Sequence, residues 1–297
     1  MSQYLHITGY STALYATWYV IEEFGILFDA GDGVSAALLG KAGKIKHVFI
    51  SHADRDHLTG LFQLNQLNAR DGFPKIYYPK DCGSFPHLER FSKQFDPWVA
   101  KTEWIPIEAG TEITIKKDVI VQAIRNGHVQ GKGQQDKSLS FHLIQSKRKL
   151  KKEFLPLSSP EIQQLMQERG RDHLTKEVRT TLLSYSGDTP VEEWDRWKHS
   201  QILIHEATFL GGKEDARIKT HGNLHSTLEE VIEMVAASTV QQLILGHFSS
   251  RYNASEIDER IRSLCNTYAI QFPVYRILPG QIVWDVLNQA PVFPVPQ

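Results

Sequence analysis

The sequence predicts a mixed α/β fold, and three observations carry that expectation. Short runs rich in β-branched and aromatic residues recur along the chain, stretches with helical spacing follow several of them, and polar chemistry collects where the strand runs end. No internal repeat is obvious, but strand runs followed by helices in each half permit two similar αβ halves that face one another.

The elements follow in order. Tyr15–Ile21 and Gly25–Ala30 read as strands split by a charged turn, and Gly31-Asp32-Gly33 ends the second. A short helical stretch over Val34–Leu39 precedes the strand Ile45–Ile50, which runs into Ser51-His52-Ala53-Asp54-Arg55-Asp56-His57-Leu58-Thr59-Gly60. Leu58–Leu67 carries apolar residues near helical spacing and leads to the strand Lys75–Tyr78. Glu112–Ile115 and Val119–Ile124 read as strands, the second ending in Arg125-Asn126-Gly127-His128. The stretch from His128 to Asp188 is the least regular. It holds Gly131-Lys132-Gly133, a strand-like Leu139–Ile144, and the basic run Lys147, Arg148, Lys149, Lys151 and Lys152. Such a run is either a solvated face or a phosphate-binding arm. Ser159-Pro160-Glu161 predicts a helix start with Ser159 as N-cap and Pro160 at the first helical position, ending near Gly170. Thr181–Ser186 returns to strand and ends in Gly187-Asp188-Thr189. Gln201–Ile204 runs into His205-Glu206-Ala207-Thr208-Phe209, and a polar loop through His221-Gly222-Asn223-Leu224-His225 precedes a helix over Thr227–Ala237. Gln242–Leu245 ends in Gly246-His247-Phe248-Ser249-Ser250-Arg251-Tyr252. The expected organisation is one domain over residues 1–290, a short basic arm inserted at about 146–180, and an extended, poorly ordered Pro-rich tail at 291–297 (Pro291, Pro294, Pro296).

With 297 residues, 41% hydrophobic and 23% charged, the chain can bury a substantial core. Lys+Arg 33 against Asp+Glu 34 leaves a formal net charge of -1, so attraction to an anionic partner must be local. Cys82 and Cys265 are far apart and form no Cys-x-x-Cys pattern, which argues against a disulfide framework or a cysteine zinc knuckle. Met1–Tyr10 shows no basic-then-apolar leader, and no run of about 18 apolar residues occurs. The expectation is a cytoplasmic protein with no membrane partner.

His52, Asp54, Asp56 and His57 place two imidazoles and two carboxylates within six positions at a strand end. Nitrogen and oxygen donors of this kind suit Zn²⁺ or another first-row divalent ion. A polar loop of solvated charges is the alternative reading of this stretch alone. As an ordered set, His52, Asp56, His57, His128, Asp188 and His247 match the ligand series of the metallo-β-lactamase superfamily. Within it the chain resembles ribonuclease Z, the tRNA 3′-processing endonuclease, through Ser186-Gly187-Asp188-Thr189, His205–Phe209, His225-Ser226-Thr227 and His247–Tyr252. The resemblance runs from about Phe28 to Arg262.

That resemblance implies an αββα sandwich, the metallo-β-lactamase fold, with a binuclear metal site at the sheet edges. It implies that His52 and His128 hold one ion, that Asp56, His57 and His247 hold the other, and that Asp188 bridges them. It further implies endonucleolytic removal of tRNA 3′ trailers by a metal-bound hydroxide oriented by Asp56, with His225 protonating the leaving oxygen and Glu206 positioning His225. Asp54 departs from the family, which has histidine there; a harder carboxylate keeps Zn²⁺ as the first expectation and opens Mn²⁺ or Fe²⁺. The basic arm is short and lacks the family's Gly-Pro-rich tip, and Gly9-Tyr10-Ser11-Thr12 stands where the family has a longer polar loop. The expected partner is pre-tRNA, contacted by the basic run across a homodimer. Small phosphodiesters such as cyclic nucleotides, or a non-catalytic metal- or RNA-binding role, are the alternatives.

Overall fold

The structure, a computed structural model, describes residues 5–129, 133, 135–211 and 224–295. Gly131, Lys132, the His221-Gly222-Asn223 part of the polar loop and Pro296 lie outside the described residues.

The first half of the chain supplies β1 (Ile7–Thr12), β2 (Ala16–Ile21), β3 (Ile26–Phe28), β4 (His47–Phe49), β5 (Lys75–Pro79) and β6 (Glu103–Ile107). The second supplies β7 (Glu112–Lys116), β8 (Val119–Arg125), β9 (Leu139–Leu150), β10 (Thr175–Tyr185), β11 (Ile202–Glu206), β12 (Gln242–Gly246) and β13 (Val274–Arg276). A last strand, β14 (Ile282–Val283), returns to pair with β1. The two sheets are ordered β14-β1-β2-β3-β4-β5-β6 and β13-β12-β11-β10-β9-β8-β7. Each begins antiparallel and ends parallel: β3 to β6 run parallel in one, β10 to β13 in the other. The halves expected from the sequence thus do face each other.

Apolar side chains explain the layering. Phe28, Phe49, Phe141 and Tyr185 meet between the sheets with ring centroids 5.3–5.8 Å apart. Each phenylalanine there is fully buried, which stabilises the fold by about 1.5–3 kcal/mol apiece. The outer face of the first sheet (Leu27, Val48, Ile50, Ile76) is covered by α1 (Val34–Leu38), α3 (Leu61–Asn68) and α4 (Ser84–Phe95), with the one-turn α2 (Arg55–Leu58) at its edge. The parallel strands, buried on both faces, therefore read as continuous apolar runs and not as alternating ones.

Beyond β10 the chain carries α5 (Ser159–Arg169) and α6 (Arg171–Leu174) within the arm, then α7 (Leu228–Ala236) and α8 (Ala254–Thr267), which cover Leu203, Leu243 and Leu245 of the second sheet. The arm differs from expectation. β9 and β10 continue as a two-stranded ribbon in which Lys147 pairs with Val178 and Lys149 with Lys176, so most of the basic run is strand. Both faces of that ribbon are solvated, which removes the apolar alternation that marks a strand. The helix inside the arm is capped by Ser158, not Ser159; Ser158 and Glu161 form a reciprocal capping box, and Pro160 moves to the second helical position. Gly9–Thr12 is no loop but part of β1. The described part of the tail is also packed on the fold: Val292 and Phe293 are buried, and Phe293 exchanges backbone hydrogen bonds with Val274 at 2.9 and 3.2 Å. Its prolines do not prevent this, because Phe293 supplies both the N–H and the apolar anchor. Among the described residues no helix is long and apolar enough to cross a membrane.

Candidate metal centre

The loops that leave the carboxyl ends of β3, β4, β10, β11 and β12 converge at one edge of the sandwich, the place where open α/β sheets present their chemistry. The loop after β4 is pressed against β2 and β3. A Cβ on Gly31 would lie 2.4 Å from the Asp56 carbonyl and 2.5 Å from the Thr17 nitrogen, and one on Gly60 would lie 2.1 Å from the Gly31 carbonyl. Only glycine permits that approach, which seats α2 and so Asp56 and His57. Asp29 (φ 54°) and His247 (φ 60°) hold the left-handed conformation, a backbone cost found where geometry serves a site.

Two clusters result. His52, Asp54 and His128 form one: the Asp54 carboxylate stands 3.6 Å from His52 Nε2 and 3.5 Å from His128 Nε2. Asp56, His57 and His247 form the other, with Asp56 Oδ2 at 3.6 and 3.4 Å from the two imidazole Nε2 atoms. Asp188 Oδ2 sits between them, 3.7 Å from His52, 3.2 Å from His57, 4.0 Å from His128 and 3.3 Å from His247. All seven residues singled out as ligands in the sequence are therefore brought together. Each cluster offers two imidazoles and one carboxylate, with Asp188 common to both.

The outer hydrogen bonds fix how the imidazoles face. His57 Nδ1 donates to Asp29 at 2.7 Å, and His128 Nδ1 donates to the Leu224 carbonyl at 2.8 Å. Ser51 Oγ spends its proton on Asp29, so at 2.9 Å from His52 Nδ1 it accepts. Thr208 Oγ1 spends its proton on Glu206 Oε2, so at 2.9 Å from His247 Nδ1 it accepts as well. By this network all four histidines carry Nδ1–H and aim an Nε2 lone pair inward. His57 and His247 Nε2 lie 3.3 Å apart, and His52 and His128 Nε2 are buried with no hydrogen-bond partner. Converging lone pairs beside three carboxylates are costly unless a cation lies among them, so these residues fit divalent metal.

The electrostatics agree. Burial pushes the Asp188 carboxyl up, but His247 and His57 overcome this and hold it well below the usual carboxylate range. The imidazoles of His128 and His52, which face the Asp54 carboxylate, hold it far below that range too. Burial works against a charged His57, yet Asp188 and Asp29 raise its pKa well above the ordinary value, the mark of a pocket that favours positive charge.

Beside the clusters, Glu206 is buried and accepts from Thr189 N–H at 2.8 Å; its Oε1 lies 3.0 Å from His225 Nδ1. Burial lowers the His225 pKa, but Glu206 and Asp188 outweigh it and carry it to about 9. Three residues that sequence reasoning missed complete the site. Asp29 accepts from Ser51 N, Ser51 Oγ, His57 Nδ1 and Tyr185 Oη, and Thr208 links Glu206 to His247. The Leu224 carbonyl orients His128. Asp29 had one usable signal, an acid at the end of an apolar strand before Gly31-Asp32-Gly33. The basic residues Lys147, Arg148, Lys149, Lys151 and Lys152 are not part of this site. They lie toward the other end of β9, and Lys147 is about 27 Å along the strand from Leu139.

The fold and its paired donor clusters define a metal-dependent hydrolase of the metallo-β-lactamase fold, and the β-lactamase superfamily domain matches residues 25–150. The fold is shared with the metallo-β-lactamase fold protein YhfI from Bacillus subtilis (TM-score 0.63, 14% identity, 94% of this chain and 99% of that one). It is shared as well with the short form of human tRNase Z (TM-score 0.60, 19% identity, 94% and 98%). In sequence the chain is 30% identical to ribonuclease Z of Pyrococcus horikoshii over 263 residues, covering 81% of this chain and 82% of that protein. It is 26% identical to tRNase Z TRZ1 of Arabidopsis thaliana over 268 residues, covering 87% and 90%. The chain belongs to the ribonuclease Z family.

Proposed function

We propose that this chain is an endoribonuclease that removes 3′ trailers from precursor tRNA with two divalent cations. The observation that supports this most is the convergence of four Nε2 lone pairs and the carboxylates of Asp54 and Asp56 around Asp188, next to the proton-holding Glu206–His225 pair. His52, Asp54 and His128 would hold one cation, Asp56, His57 and His247 the other, and Asp188 would serve both. When bound, two such ions supply positive charge against the phosphate oxygens and make a nearby water more acidic. Asp56 orients that water for attack on phosphorus as the bond to the 3′ oxygen breaks. His225 has its Nδ1 toward Glu206, so its other nitrogen faces the substrate and gives a proton to the departing oxygen. Glu206 keeps His225 protonated near neutral pH. Zinc is the first choice of metal, and the two-nitrogen, two-carboxylate donor set of each cluster also suits Mn²⁺ or Fe²⁺.

The arm cannot reach the chain's own metal centre. Its lysines would bind tRNA phosphates away from the scissile bond, most simply on RNA held by a second copy in a homodimer. One feature favours the second reading, small phosphodiesters such as cyclic nucleotides. Arg148 and Arg179 are already held by Asp172 and Glu112 at 2.5 and 2.6 Å, which leaves less free charge for RNA. The non-catalytic alternative is disfavoured by Asp54, which still stands in its cluster. Trailer-bearing pre-tRNA and a cyclic nucleotide, assayed on one metal-loaded preparation, decide between the substrates. Hydrolysis of the cyclic nucleotide alone overturns the tRNA reading. Asp188→Ala should abolish hydrolysis and reduce bound metal, and full activity in that variant would sink the binuclear scheme.

A further inference from the structure

The turn between β1 and β2 places two large apolar side chains in solvent beside the metal centre. Leu14 is 89% exposed and Tyr15 63% exposed, more than most large hydrophobic residues in the described chain. The backbone beneath them is fixed. Leu14 N–H donates to Asp56 Oδ2 at 3.0 Å, Ala13 N–H to the Phe248 carbonyl at 3.3 Å, and Tyr15 N–H to the Thr12 carbonyl at 3.1 Å. Those contacts tie the turn to one ligand, Asp56, and to the residue after another, His247. Leu14 also has φ 70°, a conformation in which leucine is disfavoured and glycine is not. Stability alone would choose glycine there and a polar residue at position 15. The chain instead carries a strained, hydrogen-bonded turn that presents an aliphatic and an aromatic surface on a backbone whose Leu14 N–H touches Asp56 of the second cluster.

We infer that Leu14 and Tyr15 form a nucleobase platform, on which a base flanking the scissile phosphate stacks. An exposed aromatic ring on a pre-organised backbone is how proteins hold single-stranded RNA bases, because every base has a π-face and little ordering cost remains to bind it. The platform would place one flanking nucleotide so that its phosphate falls among the clusters. This inference rests on the proposed ribonuclease reading.

The test is a cycle between protein and substrate. Cleavage of trailer-bearing pre-tRNA is measured with normal nucleotides and with an abasic nucleotide on either side of the scissile bond, for the wild type, Tyr15→Ala, Tyr15→Phe and Leu14→Gly. One abasic position should lower wild-type kcat/KM about 10-fold, mostly through KM. Tyr15→Ala should lose as much on normal RNA and nothing further on the abasic RNA, while Tyr15→Phe restores the wild-type pattern. Leu14→Gly should melt no lower than the wild type yet bind normal RNA more weakly. Independent, multiplying losses from Tyr15→Ala and the abasic site overturn the platform, as does indifference of the wild type to both abasic positions. If the wild type does not cleave pre-tRNA, the tRNA reading falls, and thymidine 5′-p-nitrophenyl phosphate against methyl p-nitrophenyl phosphate then decides the platform. A preference for the nucleoside diester that disappears in Tyr15→Ala supports it, and a preference unchanged in Tyr15→Ala overturns it.

Discussion

Asp29 touches no substrate and stands in neither donor cluster, yet Asp29→Asn should be among the most damaging conservative changes in the chain. Its fully buried carboxylate accepts from Ser51 N–H at 2.7 Å, Ser51 Oγ at 2.8 Å, His57 Nδ1 at 2.7 Å and Tyr185 Oη at 2.5 Å. An amide can keep the Ser51 N–H bond, but it turns an NH₂ toward the other three donors. Each charge-assisted bond lost inside a protein costs about 1.5–3 kcal/mol. With the Ser51 and Tyr185 hydroxyls free to rotate away, the net loss of stability should be about 3–5 kcal/mol. The effect on metal follows from tautomers. His57 must either leave Nδ1–H unpaired or move its proton to Nε2, where it would face the cation. His52 depends on Asp29 through Ser51 Oγ, so it is affected one step further out. Outer partners of metal-binding histidines are worth about 10–100-fold in affinity. Asp29→Asn should therefore weaken the tighter-coupled cation about 100-fold and the other about 10-fold. Competition with a fluorescent zinc chelator, on protein shown to be folded by circular dichroism, measures this. Affinities within threefold of wild type at both sites would refute the reasoning. Tyr185→Phe is the matched control: it removes one bond to Asp29, costs about 1–2 kcal/mol, and leaves both histidine tautomers in place.

Three further outcomes are expected. Asp54→His exchanges a carboxylate for an imidazole in the first cluster, so zinc should be retained more tightly relative to Mn²⁺; elemental analysis after dialysis against equal concentrations of both reads the ratio, and no change removes Asp54 from the ligand set. His225→Ala should slow turnover about 10²–10⁴-fold with metal content intact, and Glu206→Gln should shift the alkaline limb of the rate profile downward, because the carboxylate that raises His225 to about 9 is gone; metal loss in His225→Ala would reassign it as a ligand. His142, lowered to about 4 by burial against a hydrogen bond with the Arg196 backbone that works the other way, and His47, lowered to about 4 by burial and then by Lys75 and Lys46, should make the fold acid-sensitive. Both pKa values are depressed in the folded state, so the unfolded chain binds more protons between about pH 6.5 and 4, and stability falls as pH drops through that window, by about 2 kcal/mol per group at pH 5. Urea midpoints at pH 7 and 5 for His142→Asn should show a smaller drop than wild type, and an equal drop would show that His142 titrates normally.

What the sequence reveals here is local and what it hides is long-range. His52 to His57 stand out because six consecutive positions hold two imidazoles and two carboxylates, and His128, Asp188 and His247 each follow an apolar run that ends abruptly. The two facing halves are legible from the alternation of strand and helix. Thr208, Asp29 and the Leu224 carbonyl are not, because each acts on a histidine 28 to 96 residues away in the chain or through a backbone atom that carries no residue identity. The arm's strands are concealed by charge on both faces of a solvated ribbon. The burial of Val292 and Phe293 is concealed by the prolines around them, which mark extended chain but do not say whether that chain is covered.

The return of β14 to the edge of β1 has a consequence for how the molecule is made. Residues 282–283 complete a sheet whose other members all precede residue 108, and His247 completes a cluster opened by Asp56 and His57. During synthesis the first sheet must wait with one border unpaired until residues 282–283 emerge, and the second cluster must wait with one imidazole missing until His247 does. A chain that stops short of residue 247 thus lacks a full donor set through connectivity alone, and a complete second cluster reports that the second sheet has been made through β12.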